Sequence, residues 1–119
     1  MIRLKRVYEP VARGDGRRVL VERLWPRGLR REDPRVGEWL REVAPSAELR
    51  RWYGHDSARW AQFKRRYRAE LRRPEQRRLL ETLADEARRR NVTLVYAARD
   101  TERNSAVVVR EALEARPPP

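Results

Sequence analysis

The chain of 119 residues has no cysteine. That excludes disulfides, thiol nucleophiles and zinc held by thiolates. It has one histidine, His55, so a histidine-rich metal site is excluded too. No apolar run is long enough to cross a bilayer, and the start carries no signal-peptide pattern. A soluble cytoplasmic protein with no membrane partner is expected. The sequence holds no phosphate loop, dinucleotide fingerprint or nucleophile elbow. It has no internal repeat and no sign of a second domain, and its length fits one domain with a modest core.

What the chain has in excess is positive charge. Thirty basic residues stand against 18 acidic ones, for a net charge of +12. Such a balance invites a nucleic-acid reading. Lys5 and Lys64 are the only lysines; every other basic residue is arginine. That skew suggests a GC-rich coding sequence such as a thermophile's, where arginine ion pairs on helix surfaces help most. Most arginines are therefore expected on a solvated, ion-paired surface.

The stretch RVLVERLWPRG, residues 18–28, organises the rest. Val19, Leu20 and Val21 form an apolar run suited to a strand covered on both faces. Pro26 then removes a backbone donor and pushes Trp25 into an extended conformation, and Gly28 permits a tight turn. A rigid corner is expected at the end of a central strand, holding an indole and the guanidinium groups of Arg23 and Arg27.

In chain order, residues 2–9 read as a strand of uncertain orientation, ended by Pro10, and Gly14-Asp15-Gly16 is a turn signal. The second strand is expected over 18–25, with Val19, Val21, Arg23 and Trp25 on one face. Asp33-Pro34 has the form of a helix start, Asp as N-cap and Pro in the first turn. Val36, Trp39, Leu40 and Val43 would be that helix's apolar stripe. Ser46 can cap a short helix ended by Gly54. Trp60, Phe63, Tyr67 and Leu71 recur at helical spacing. They read as core packing rather than a platform for bases, because charged residues separate them. Pro74 starts another helix and Asn91 closes it. Val92 to Ala98 is the clearest later strand, Asn104 or Thr101 could cap a last helix, and 115–119 reads as a frayed tail.

The order of elements predicts a small single α/β domain, with a short, mostly parallel sheet of about three or more strands covered by helices. Parallel strands bring their carboxyl ends to one rim, where open α/β sheets bind ligands. Arg23, Trp25, Arg27 and Gly28 would meet Arg99, Asp100 and Asn104 there, beside the N-terminus of the last helix. Arginines and a helix N-terminus suit a phosphate or carboxylate, and Trp25 could stack on a base or sugar. Asp100 and Glu22 are the candidate acid–base residues. Asp100 could equally cap a helix, and Glu22 and Arg23 could simply neutralise neighbours across the sheet, as structural ion pairs at strand ends do. His55, in a polar turn, is not taken as catalytic. Two acids do not define a metal site, so no metal is assigned, and no cofactor is identified.

The stretches KRVYEP, DGRRVLVERLWPRG, EVAPSAELR and VYAARDTERNSAVVV resemble the YeaO-like family of small bacterial proteins, a domain-of-unknown-function family numbered 488. The likeness runs from Lys5 to about Leu113. It implies a fold and a site rather than a reaction, and through the strings APS and LR it adds Ser46 and Arg50 to the ligand-binding candidates. Glu9 and Glu22 stand where relatives can carry Asp. A wider branch resembles Asp-x-Arg–Pro-Arg near the start and Cys-His-Arg near the end. Glu22, Leu24 and Arg27 fit the first pattern only loosely, and residues 101–104 lack the cysteine and histidine of the second. A thiol or histidine mechanism does not carry over.

Three functions follow as expectations, in this order. The first is an enzyme or sensor for an anionic small molecule, a nucleotide or phosphorylated metabolite, at the rim. The second is a nucleic-acid-binding protein using the basic helices. The third is a module that docks a protein partner.

Overall fold

In the computed structural model, which describes residues 1–115, four parallel strands form one sheet in the order β1-β4-β2-β3. They are β1 (Ile2–Arg6), β2 (Arg17–Leu20), β3 (Glu38–Trp39) and β4 (Val92–Tyr96). Central β4 pairs with β1, Leu4 beside Leu94, and with β2, Val19 beside Leu94. All five of its residues are buried, as the continuous apolar run VTLVY requires. The expected small parallel α/β domain is therefore present, and the orientation of the first strand, open from the sequence, is parallel.

The two faces of the sheet are covered differently. Helices α1 (Ala47–Tyr53), α2 (Trp60–Leu71), α3 (Pro74–Arg89) and α4 (Ser105–Glu114) all lie on one face. Phe63, Tyr67 and Leu71 of α2 are buried there with Val19, Val21, Val92 and Leu94, so the aromatic stripe is core. Each fully buried aliphatic side chain contributes about 1.5–3 kcal/mol through burial. Tyr67 keeps its hydroxyl satisfied by donating to the Val43 carbonyl. Among the described residues, loops alone cover the other face. Val7, Leu20, Val36 and Val95 form a second, smaller core under Tyr8, Trp25, Leu29 and Trp39.

An ion pair anchors the first of those loops. Arg18 and Asp15 are 5% and 1% exposed, and their contact is 2.7 Å. Every nitrogen of the Arg18 guanidinium has an acceptor: its Nε donates to the Arg35 carbonyl, and its other nitrogens to Asp15 and to the carbonyls of Val7, Glu9 and Pro10. Burial pushes the Asp15 carboxyl up. Lys5, the Ala12 N–H and Arg18 outweigh it and hold the pKa at about 2.

Three expectations are corrected. No helix begins at Asp33-Pro34. Residues 33–36 form a turn, Val36 N–H to the Asp33 carbonyl at 3.2 Å, with the Asp33 carboxylate gripping Arg35. Gly37 then takes φ +68, and a Cβ there would lie 2.3 Å from the Arg18 carbonyl oxygen. The chain thus passes so close to β2 that Glu38–Trp39 pair with it as a fourth strand. The supposed stripe is split, Val36 packing under the loops and Leu40 and Val43 under the helices. Second, β2 ends at Leu20 rather than Trp25. Val21 still donates to Val95 at 3.2 Å, but the sheet stops there, and Trp25 packs on the loop face instead of beside Val21. Third, β1 and β4 stop at Arg6 and Tyr96, short of Glu9 and Ala98. Of the expected tail at 115–119, Ala115 is the C-cap of α4 and 116–119 lie outside the described residues.

Candidate ligand-binding cleft

The chain leaving β2 turns to the loop face, whereas the chain leaving β4 leads to α4 on the helix face. Adjacent parallel strands whose continuations part in this way leave a crevice at their carboxyl ends. Here it is a cleft of about 370 Å³, near the lower end of the ~300–1,000 Å³ usual for small-molecule sites. Its lining comes from the corner after β2, the loop after β4, the start of α4, and α1 with the turn that follows it.

Among the described residues, Glu22 is the one carboxylate on that lining. Its backbone is pinned by the Trp39 indole, which donates to the Glu22 carbonyl at 2.6 Å. Its Oε1 accepts from the Ala97 N–H at 3.2 Å and faces the Ser105 hydroxyl at 3.4 Å. That hydroxyl shares its proton with the Val21 carbonyl, which is closer at 3.0 Å. Its Oε2 receives no hydrogen bond among the described residues. Burial pushes the Glu22 carboxyl up, and Ala97, Ser105 and the charge of Arg50 only partly offset this.

Four arginines, Arg23, Arg27, Arg50 and Arg103, share the lining with Glu22. Arg23 donates its Nε to the Pro45 carbonyl at 2.8 Å, and Arg103 pairs with Asp100 at 3.3 Å. Arg27 and Arg50 make no side-chain hydrogen bond or ion pair among the described residues. The apolar part of the wall includes Trp25, Tyr53, His55 and Phe63. Tyr53 and Phe63 stack at 4.4 Å, with His55 6.2 Å from Tyr53. His55 has φ +57, the sole positive φ outside glycine among the described residues, a conformation most side chains avoid.

Of the ten candidates named from the sequence, Glu22, Arg23, Trp25, Arg27, Arg50 and Asn104 line this cleft. Trp25 is partly committed elsewhere, since its indole N–H donates to the Leu29 carbonyl at 2.8 Å and its ring meets Trp39 edge-on. Asn104 is the N-cap of α4, accepting from Val107 at 3.0 Å while its amide donates to the Asp100 carbonyl. Gly28, Arg99, Asp100 and Ser46 lie off the lining. Gly28 makes the corner, at φ +80. The Asp100 carboxylate accepts from the N–H groups of Glu102 and Arg103, and these hold its pKa down. It shapes the loop before α4. Ser46 caps α1, accepting from Leu49, and donates to Glu70 at 2.6 Å beside a separate small cavity.

Tyr53, His55, Arg103 and Ser105 were not among the candidates. The position of Ser105 was available in principle, one residue beyond the expected Asn104 cap. Nothing local shows that α1 brings Tyr53 and His55 to this rim, because that depends on how α1 packs against α2. Among the described residues no group of three or more acids and histidines could hold a metal ion.

Fold and cleft define a small parallel α/β domain with a cationic crevice at the carboxyl rim of its sheet. The chain belongs to the DUF488-N3i family, described as the inactive DUF488-N3 subclade, whose model matches residues 1–117. It is 42% identical over 112 residues to the uncharacterized protein YeaO of Escherichia coli, covering 94% of this chain and 96% of YeaO. It is 44% identical over 115 residues to the uncharacterized protein Rv3073c of Mycobacterium tuberculosis, covering 97% and 95%. The resemblance read from the sequence holds. No solved structure matches the chain.

Proposed function

We propose that this protein is a binding domain, a sensor rather than a catalyst, for a small anionic ligand of the nucleotide or phosphorylated-metabolite class held in the rim cleft. One observation carries the reading: the guanidinium groups of Arg27 and Arg50 border the same cleft and make no hydrogen bond or ion pair among the described residues, although the Arg50 charge acts on Glu22. Arginine forks recognise phosphate and carboxylate oxygens in pairs. Arg23 and Arg103 add positive charge, and the aromatic wall offers an apolar surface to the body of a ligand. The description of the family as an inactive subclade supports binding over catalysis. So does the chemistry of the lining. The Ser105 hydroxyl is engaged with a backbone carbonyl, and residues 101–104 contain neither cysteine nor histidine.

The test is a thermal-shift screen of nucleotides, phosphorylated sugars and other anionic metabolites. A ligand at a hundred times its Kd adds about 2.7 kcal/mol of stability, several degrees in a domain of this size. A shift that disappears in Arg27→Ala and Arg50→Ala supports the reading. Full binding by both variants, or no shift from any anion, overturns it.

A further inference from the structure

The cleft is not built for an anion alone. A bare phosphate drawn in by four arginines also meets Glu22, whose carboxylate stands on the same lining. Glu22 is not neutralised by a close ion pair with any described residue. One oxygen is held by the Ala97 N–H and the Ser105 hydroxyl, whereas Oε2 is left with open lone pairs. A carboxylate only accepts hydrogen bonds, so its open oxygen suits a ligand group that donates. The chemistry of such a ligand follows from the lining. It needs an anion for Arg27 and Arg50 and an N–H donor for Glu22, whose carboxylate feels the Arg50 charge. It also needs a flat body for the wall that includes Tyr53 and His55.

We infer that the cleft takes a mononucleotide whose base bears an N–H donor, and that Glu22 is the residue that reads this donor. The inference rests on the anion-binding reading above and adds the ligand's second end. The volume of about 370 Å³ suits one nucleotide rather than a dinucleotide. Sites built to hydrogen-bond a donor reject the analogue that lacks it, because their own polar group is then left unpaired.

The probes are adenosine and guanosine 5′-monophosphates, purine riboside 5′-monophosphate, whose base has no N–H, and inorganic pyrophosphate. Their Kd values are measured calorimetrically on the full chain and on Glu22→Gln, with melting curves to show that the variant folds. The glutamine oxygen can keep the Ala97 and Ser105 contacts, which turns its NH₂ toward the open side. The expected result is that at least one amino-bearing nucleotide binds tenfold or more tighter than purine riboside monophosphate. In Glu22→Gln that preference collapses to within twofold, and pyrophosphate binds severalfold tighter because the repelling charge is gone.

Equal binding of all three nucleotides to the unmodified chain overturns the inference and leaves anion binding standing. A preference that survives Glu22→Gln, or pyrophosphate affinity unchanged by it, removes Glu22 as the reader. Failure of every probe overturns the inference; the anion-binding reading falls with it only if the wider screen of anionic metabolites also gives no shift.

Discussion

Two carboxylates near the ends of β2 sit in opposite states. Asp15, before the strand, is enclosed by the Lys5 ammonium, the Ala12 N–H and the Arg18 guanidinium, and its pKa is held at about 2. Glu22, after the strand, shares a cleft with four arginines yet has an oxygen that no described donor meets, and burial pushes its pKa up. The sequence marks Glu22 as a candidate at a strand end and Asp15 only as part of a turn, and it shows the state of neither. The difference lies in whether the partners are delivered. The 3₁₀ turn at Arg13–Asp15 carries its carboxylate onto Arg18 and locks a loop across the sheet. The corner at Trp25–Gly28 instead holds its guanidinium group at a cleft and leaves the carboxylate open. A satisfied charge pair builds structure; an unsatisfied one leaves capacity for a ligand.

The comparison breaks most visibly at Asp15. Asp15→Asn leaves Arg18 buried without its counter-charge, and breaking one side of such a pair costs about 3–5 kcal/mol. Tm should fall by roughly 10–20 °C; a fall of a degree or two would show that the carbonyls around Arg18 suffice. Acid tests the same pair with less force. The folded pKa of about 2 lies below the ordinary 3.8, so this stability is complete above pH 4 and is lost as pH falls through the folded value. The loss amounts to about 2 kcal/mol, read from urea midpoints between pH 4 and 2. It should be absent in Asp15→Asn.

Glu22 should respond in the other direction. A carboxyl whose folded pKa is raised binds its proton more tightly in the folded state. Stability from this group therefore rises as pH falls through the folded pKa, and the gain is complete below the ordinary value of 4.5. Glu22→Gln removes the ionisation cost, so its Tm should exceed that of the unmodified chain at neutral pH, and the advantage should close on acidification. A lower Tm at neutral pH, with no dependence on acid, would make Glu22 a structural residue like Asp15.

How far the sequence reveals this contrast depends on the range of the interactions. The apolar runs at 19–21 and 92–96, the α2 stripe and the Ser46 and Asn104 caps are local patterns, and the structure keeps them. The rim follows from parallel strands, which is why the sequence places Glu22, Arg23 and Arg27 at the strand end where the cleft lies. Local pattern misleads at Asp33-Pro34, where a helix start is overridden four residues on by the close approach of Gly37 to β2. It is silent on Tyr53 and His55, which reach the cleft through helix packing. Asp15 was visible only as the middle of a turn signal, because its importance comes from Arg18 on the neighbouring strand and Lys5 on another.

The smallest effect on stability should accompany the largest on binding. The Arg50 side chain is exposed and makes no hydrogen bond or ion pair among the described residues, so Arg50→Ala should change stability by no more than about 0.5 kcal/mol. The loss of its charge should push the Glu22 carboxyl further up, since Arg50 is among the groups pulling it down. Ligand binding should weaken tenfold or more, whereas Arg50→Lys, which keeps the charge but not the fork, should recover only part of it. Arg68, exposed on α2 and paired with Glu111, is the matched control. Arg68→Ala should leave ligand affinity unchanged. Equal losses from the two alanine variants would mean that general positive charge on this +12 chain, and not the cleft, draws the anion. Affinity would then fall with salt in the same way for both, and the basic helices would replace the rim as the binding surface.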